Sequence, residues 1–239
     1  MPDRLDPMKK SEVLAYLKRE KDPRGMAHWK AHAEASGGLT SYGIGLTRLR
    51  KYAKGIGPDA KLAKALWNSK VYEMRVLSLL VDDPKSMTME QAERQVEELH
   101  GGYLSHVFSS CDATLAKTPF VVELLQTWTK SKDPVRRGCG YALLYEVSKW
   151  KKKAVPDEAA FLAHIAKIEK SQAKEPVSVR MAMGAALMGM GKRSKTLNAA
   201  AIKVCKKMGP IEFDPTGKCE PFDVLKHLMG PQLKKRLGT

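Results

Sequence analysis

Apolar residues recur every three to four positions along most of the chain, a period that argues for helices and against strands. Leu46, Leu49, Ala53 and Ile56 form one such stripe, and Val121, Leu124, Leu125 and Trp128 a second. Val135, Cys139, Ala142, Leu143, Val147 and Trp150 form a third. Element ends are marked by polar and turn residues. Asp59 and Thr88 suit N-cap positions, where a side-chain oxygen accepts from first-turn N–H groups that have no intrahelical partner. Pro119 and Pro134 suit a first helical turn, where a missing N–H costs nothing. Gly37-Gly38, Gly57-Pro58, Asp83-Pro84 and Gly101-Gly102 separate the helices. Only residues 211–220 (IEFDPTGKCE) read as a short hairpin or ordered loop. The expected fold class is all-α.

Helix starts are expected near 44, 59, 72, 88, 104, 119, 134, 157, 177 and 196. Taken in pairs, they repeat at roughly the ~40–47 residues of HEAT-type helical repeats. Self-similarity between the pairs is weak, so this spacing fits a repeat solenoid or a compact bundle. A solenoid would stack its pairs into a curved wall with a concave face. Residues 1–40 are expected as an N-terminal helical segment and residues 41–239 as one HEAT-like-repeat domain, the two forming a single compact unit overall.

Charge narrows the partner. The 239 residues hold 42 Lys and Arg against 26 Asp and Glu, a net +16. Residues 1–120 carry +4 and residues 121–239 carry +12; between Lys130 and Lys207 stand 18 basic and 6 acidic residues. A localised positive field makes a binding face for a polyanion, and a concave wall bearing it would cradle a duplex. The charge thus points to a nucleic-acid partner, held by its phosphate backbone. Cys111, Cys139, Cys205 and Cys219 form no CxxC and pair with no histidine at zinc-ligand spacing. His28 and His32, one helical turn apart, lack an evident third ligand. No metal and no cofactor is expected. There is no charged-then-apolar leader and no apolar run near ~18 residues. The chain therefore reads as a cytoplasmic monomer with reduced thiols, nucleoid-associated when bound.

Several motifs resemble, in order and spacing, those of one known family. Gly43-Ile44 followed by Leu49-Arg50-Lys51-Tyr52-Ala53-Lys54 resembles its opening. Trp67, then Glu73-Met74-Arg75 and Leu80-Val81-Asp82-Asp83-Pro84, looks like its next motif. Phe108-Ser109-Ser110-Cys111-Asp112, then Lys117-Thr118-Pro119-Phe120, falls on its central motif. Gly191-Lys192-Arg193, Leu197-Asn198 and Ala200-Ala201-Ile202 resemble a later helix pair, and Asp214-x-x-Gly217-x-Cys219 is similar to the tail of one branch. The family that these motifs resemble is the DNA alkylation repair family of AlkD-type HEAT-like-repeat DNA glycosylases; the resemblance covers about residues 40–228 and implies an all-helical solenoid.

It also implies a chemistry. Enzymes of this family hydrolyse the N-glycosidic bond of cationic N3- or N7-alkylated purines. A charged base leaves readily, so the enzyme's task is to stabilise the developing cationic sugar with a fixed carboxylate and aromatic faces. Asp112 aligns with that carboxylate. Phe108, one helical turn earlier and expected on the same face, aligns with a cleft Trp. Ala185 stands where the second cleft Trp is usual, and Ser109 replaces the Asp of the usual Trp-Asp pair. The apolar stretch Met181–Met190 reads as close helix packing. The resemblance makes double-stranded DNA the expected partner, and Arg48, Arg50, Lys51, Arg136, Arg137, Lys192 and Arg193 are assigned to contacts with its phosphate backbone; the Lys149, Lys151, Lys152, Lys153 cluster reads as an exposed helix end. The altered cleft leaves three roles open: a glycosylase acting through Asp112, a non-catalytic relative that binds DNA structures, and a scaffold for an acidic protein.

Overall fold

The structure is a computed structural model that describes residues 7–32, 36–100, 102–151, 155–214 and 219–238. Lys152, Lys153, Gly101 and Gly217 lie outside the described residues. All regular elements among them are helical, apart from two isolated bridges, Thr40 with Val71 and Ile211 with Phe222. No helix among the described residues is long and apolar enough to cross a membrane. The chain divides into two compact units, residues 1–119 and 120–239.

The first unit contains α1 (Lys10–Arg19), α2 (Pro23–Ala31), α3 (Leu46–Ile56), α4 (Ala60–Trp67), α5 (Tyr72–Val81), α6 (Met89–Glu97) and α7 (Gly102–Ser109), then a 3-10 turn, Thr114–Lys117. Asp59 caps α4 through Leu62 N and Thr88 caps α6 through Gln91 N, as their sequence positions predict. Helix α5 is the central element and packs on α3, α4 and α7. It carries Met74, Val76, Leu77, Leu79 and Val81, all nearly inaccessible. The expected N-terminal segment packs with the helices that follow it. Helix α1 packs on α4 and α5, Asp22 N donates to Tyr42 O at 2.8 Å, and the Thr40 backbone bonds to Lys70 and Tyr72. The N-terminal helices are thus built into the first unit.

The second unit contains α8 (Val121–Trp128), α9 (Pro134–Ser148), α10 (Glu158–Ser171), a 3-10 turn (Gln172–Lys174), α11 (Val177–Gly191), α12 (Lys195–Met208), α13 (Val224–Leu228) and α14 (Pro231–Leu237). Pro134 occupies the first turn of α9 behind the N-cap Asp133. Pro119 instead precedes α8, which begins only after Phe120. The stripe of Val121, Leu124, Leu125 and Trp128 is buried to 1% or less. Helix α9 packs on α8 and, most extensively, on α11. Two glycines permit that density. A Cβ on Gly140 would stand 2.6 Å from Thr129 N, and one on Gly189 would stand 2.1 Å from Ser148 Oγ. The Met181–Met190 stretch is therefore a packing surface. Ile211 and Phe222 exchange both backbone hydrogen bonds, at 3.1 and 3.0 Å; residues 215–218 of the loop expected at 211–220 lie outside the described residues.

Candidate functional site

Asp112 does not sit on a helix. Helix α7 ends at Ser109, and residues 110–113 form a tight turn closed by Ala113 N donating to Ser110 O at 3.1 Å. Cys111 and Asp112 have φ of 60° and 66°, the pair of left-handed conformations of a type I′ turn. Asp tolerates this region through local hydrogen bonding; for Cys it is strained. The surroundings hold the turn in place. Arg50 Nε donates to Cys111 O at 3.2 Å, Lys117 Nζ donates to Asp112 O at 2.5 Å, and Thr114 Oγ1 donates to Asp82 O at 2.9 Å. The Asp112 carboxylate projects into solvent with 74% of its side chain exposed and stands 3.4 Å from Arg50 Nε.

Phe108 was expected to line a cleft beside Asp112, and the structure overturns this. Its ring is 0% exposed and packs 6.4 Å from the Trp67 ring. Because the chain leaves the helix after Ser109, Phe108 and Asp112 share no helical face. One points into the core and the other into water. Trp67 is fixed in turn: its Nε1 donates to Glu98 Oε2 at 2.7 Å, and the Arg75 guanidinium lies 5.0 Å over its ring. Glu73, fully buried, accepts from Ser41 Oγ at 2.6 Å and Ile44 N at 3.2 Å. The Trp67 and Glu73–Arg75 motif is therefore scaffolding.

Beside Asp112 lies chemistry that the sequence reading did not single out. Cys111 Sγ is 3.3 Å from His106 Nε2 and 3.4 Å from Ser110 Oγ. Burial alone would push the Cys111 thiol up, but these hydrogen bonds, with the charges of His106 and Arg50, hold it below the ordinary thiol range. Tyr72, whose phenol burial and the neighbouring Glu73 charge push up, is electrostatically coupled to Cys111 and Tyr103. Trp29 stacks obliquely on Tyr72 at 4.5 Å and Tyr103 at 5.8 Å, and His28 Nε2 meets Tyr103 Oη at 3.2 Å. The sequence holds no period linking residues 29, 72, 103 and 106; only tertiary folding assembles them.

The residues assigned to DNA contacts divide by what their side chains already bind. Arg137 makes a two-pronged pair with Glu175, Nε to Oε1 at 2.9 Å and Nη2 to Oε2 at 2.6 Å, and its Nη1 donates to Ser131 O and Lys132 O. With both partners mostly buried, its guanidinium is already engaged in holding the fold. Arg193 donates to Ser148 O at 2.6 Å and Trp150 O at 2.8 Å, and caps the C-terminal end of α9. Arg48 pairs with Glu20 at 2.5 Å, and Arg50 braces the Cys111–Asp112 turn. Lys51 is exposed, Arg136 and Lys192 are half-buried, and Ala185 is half-buried on α11. Arg48, Arg50 and Lys51 belong to the first unit, the others to the second.

Residues 13–212 match the family described as DNA alkylation repair enzyme. The chain belongs to that family. A solved structure described as a new family of proteins related to the HEAT-like repeat DNA glycosylases, with affinity for branched DNA structures, matches it with a TM-score of 0.81. The two share 18% identity, and the match covers 97% of each chain. No curated protein matches the chain. At this identity the likeness establishes a fold: the DNA alkylation repair chain described here has the HEAT-like helical-repeat architecture, one of the two arrangements its helix spacing fits and the one the motif resemblance implies.

Proposed function

We propose that this member of the DNA alkylation repair family binds DNA through the phosphate backbone, favours branched over plain duplex DNA, and does not excise bases. The observation that carries binding is the charge asymmetry: +12 of the net +16 lies in residues 121–239. Lys130, Lys132, Lys170, Lys174, Lys195 and Lys206 are all exposed there. Exposed lysines releasing condensed counterions are the general source of affinity for nucleic acid. The preference for branches extends to this chain what is described for the structural relative.

The case against base excision rests on the Asp112 turn. Electrostatic stabilisation of a sugar cation needs a fixed carboxylate in a water-excluded site, where the dielectric is low. Asp112 is three-quarters exposed and faces an arginine. Phe108 offers no open ring face, and Ala185 supplies no ring.

The test measures binding of labelled four-way junction and linear duplex over a series of salt concentrations, together with release of methylated bases from alkylated DNA. The expected result is tighter junction binding, with log K falling against log salt by about 0.9 for each phosphate neutralised, and base release at the uncatalysed rate. Salt-independent binding would defeat the backbone reading. Release of N3- or N7-alkylated purines that Asp112→Asn abolishes would reinstate the glycosylase.

A further inference from the structure

The second unit contains an open pocket of about 740 Å³ where several helix ends converge. The end of α9, the start of α10, the α11–α12 junction and the end of α14 all contribute to its walls. Its chemistry is unusually one-sided. Lys149, Lys151, Lys192, Arg193 and Arg236 line it. The two acids in the wall are engaged: Asp157 caps α10 through Ala160 N, and Glu158 accepts from Ser194 Oγ at 2.5 Å. Lys149 is balanced by Glu146 at 2.5 Å.

Two of the remaining cations have neutral partners. Arg193 donates to the Ser148 and Trp150 carbonyls, and Arg236 Nη2 donates to Lys192 O at 2.8 Å. No acidic partner of Lys192, Arg193 or Arg236 is present among the described residues. Burial and the adjacent Arg236 charge hold the Lys192 ammonium below the ordinary lysine range. Bringing like charges together without a counter-ion costs free energy that a bound anion would recover. Aromatic surface completes the pocket. The Arg193 guanidinium lies 5.0 Å over the buried Phe161 ring, Lys149 Nζ lies 4.5 Å over Tyr145, and Trp150 is half-buried in the wall.

We infer that this pocket receives one unpaired nucleotide of a DNA strand, its phosphate among Lys151, Lys192 and Arg236 and its base against Trp150. The inference rests on the DNA-binding reading above and deepens it. Cations beside an aromatic ring are the general arrangement by which proteins hold single strands without reading sequence. The volume suits a single nucleotide. A paired base cannot enter a pocket without leaving its stack, so the ligand is a strand end, flap or branch nucleotide that is already free.

The experiment compares a blunt duplex, the same duplex with a short single-stranded overhang, and that overhang made abasic. The intact protein should bind the overhang about tenfold more tightly than the blunt end, and the abasic overhang should lose most of that gain. Trp150→Ala should remove the preference for the overhang while leaving blunt-duplex affinity in place, and Trp150→Tyr should restore part of it. Lys151→Gln with Lys192→Gln should weaken the overhang complex more than the blunt complex. Equal binding of blunt and overhang DNA by the intact protein, or equal loss for both in the variants, would overturn the pocket and leave general DNA binding standing. Failure to bind any of the three DNAs would end both readings.

Discussion

The two units divide the features that the sequence pattern joins. The first holds the residue aligned with catalysis, Asp112, in a region of net +4. The second holds net +12 and no candidate catalytic carboxylate. In the first unit, functional-looking side chains turn out to serve the fold: Phe108 and Trp67 are core, Glu73 is a buried staple, and Arg50 braces a turn. In the second, two of the named arginines are also structural, but a large complement of exposed lysines remains. Removing arginines 137 and 193 from the contact set does not abolish the surplus. A motif is a weak guide to chemistry when its residues have structural work, whereas a regional charge surplus survives reassignment of individual members.

The largest effect that would separate these roles is expected from Phe108→Ala. Emptying a fully buried aromatic site should destabilise by about 3–5 kcal/mol, read as a lower urea midpoint. A small loss would mean the ring is not core and would reopen a cleft around Asp112. Arg137→Ala follows at about 3 kcal/mol, since it strands the mostly buried Glu175 carboxylate. Under conditions where this variant is folded, the salt slope of DNA binding should be unchanged. A slope smaller by about one would mark Arg137 as a phosphate contact after all.

The fold was legible because its signals are local. Helical periods, the Asp59 and Thr88 caps and the first-turn Pro134 all act within a few residues. The site was not, because it depends on pairings distant in sequence or on backbone geometry that side-chain type does not announce. Glu175 lies 38 residues from Arg137, and Tyr103 lies 75 from His28. Nothing in Ser110-Cys111-Asp112 signals two successive left-handed residues, so a helical face was extended through a point where the helix had already ended. Trp150 belongs to the same class: it continues the α9 stripe in sequence, yet it lies beyond the end of α9 and lines a pocket.

Thiol reactivity gives a subtler comparison of the two units. Cys111 is held below the ordinary thiol range, while the hydrogen bond with Asp214 pushes exposed Cys219 up. A lower pKa means more thiolate at neutral pH, and thiolate is the form that alkylates. Iodoacetamide at neutral pH should therefore label Cys111 faster despite its lesser exposure. Raising the pH should accelerate Cys219 more. His106→Asn should move the Cys111 profile to higher pH, and Asp214→Asn should move the Cys219 profile to lower pH. Faster labelling of Cys219 at neutral pH would mean that access outweighs ionisation at these sites.

The smallest effect is expected where the family chemistry would place the largest. Asp112→Asn removes a charge from an exposed pair with Arg50, and such pairs contribute no more than about 1 kcal/mol. Asn adopts the left-handed region as readily as Asp, and the Asp112 carbonyl that receives Lys117 Nζ belongs to the backbone. The turn should therefore survive intact. Unfolding should shift by less than about 1 kcal/mol, and DNA affinity should hold or rise slightly as one repulsion from phosphate is lost. A loss beyond about 2 kcal/mol would show that the carboxylate holds the strained turn, well outside what an exposed pair contributes. Asp112 would then be a structural residue of the first unit, like Phe108 and Glu73. A stability loss near zero with full DNA binding would leave the second unit's charge as the property on which function turns.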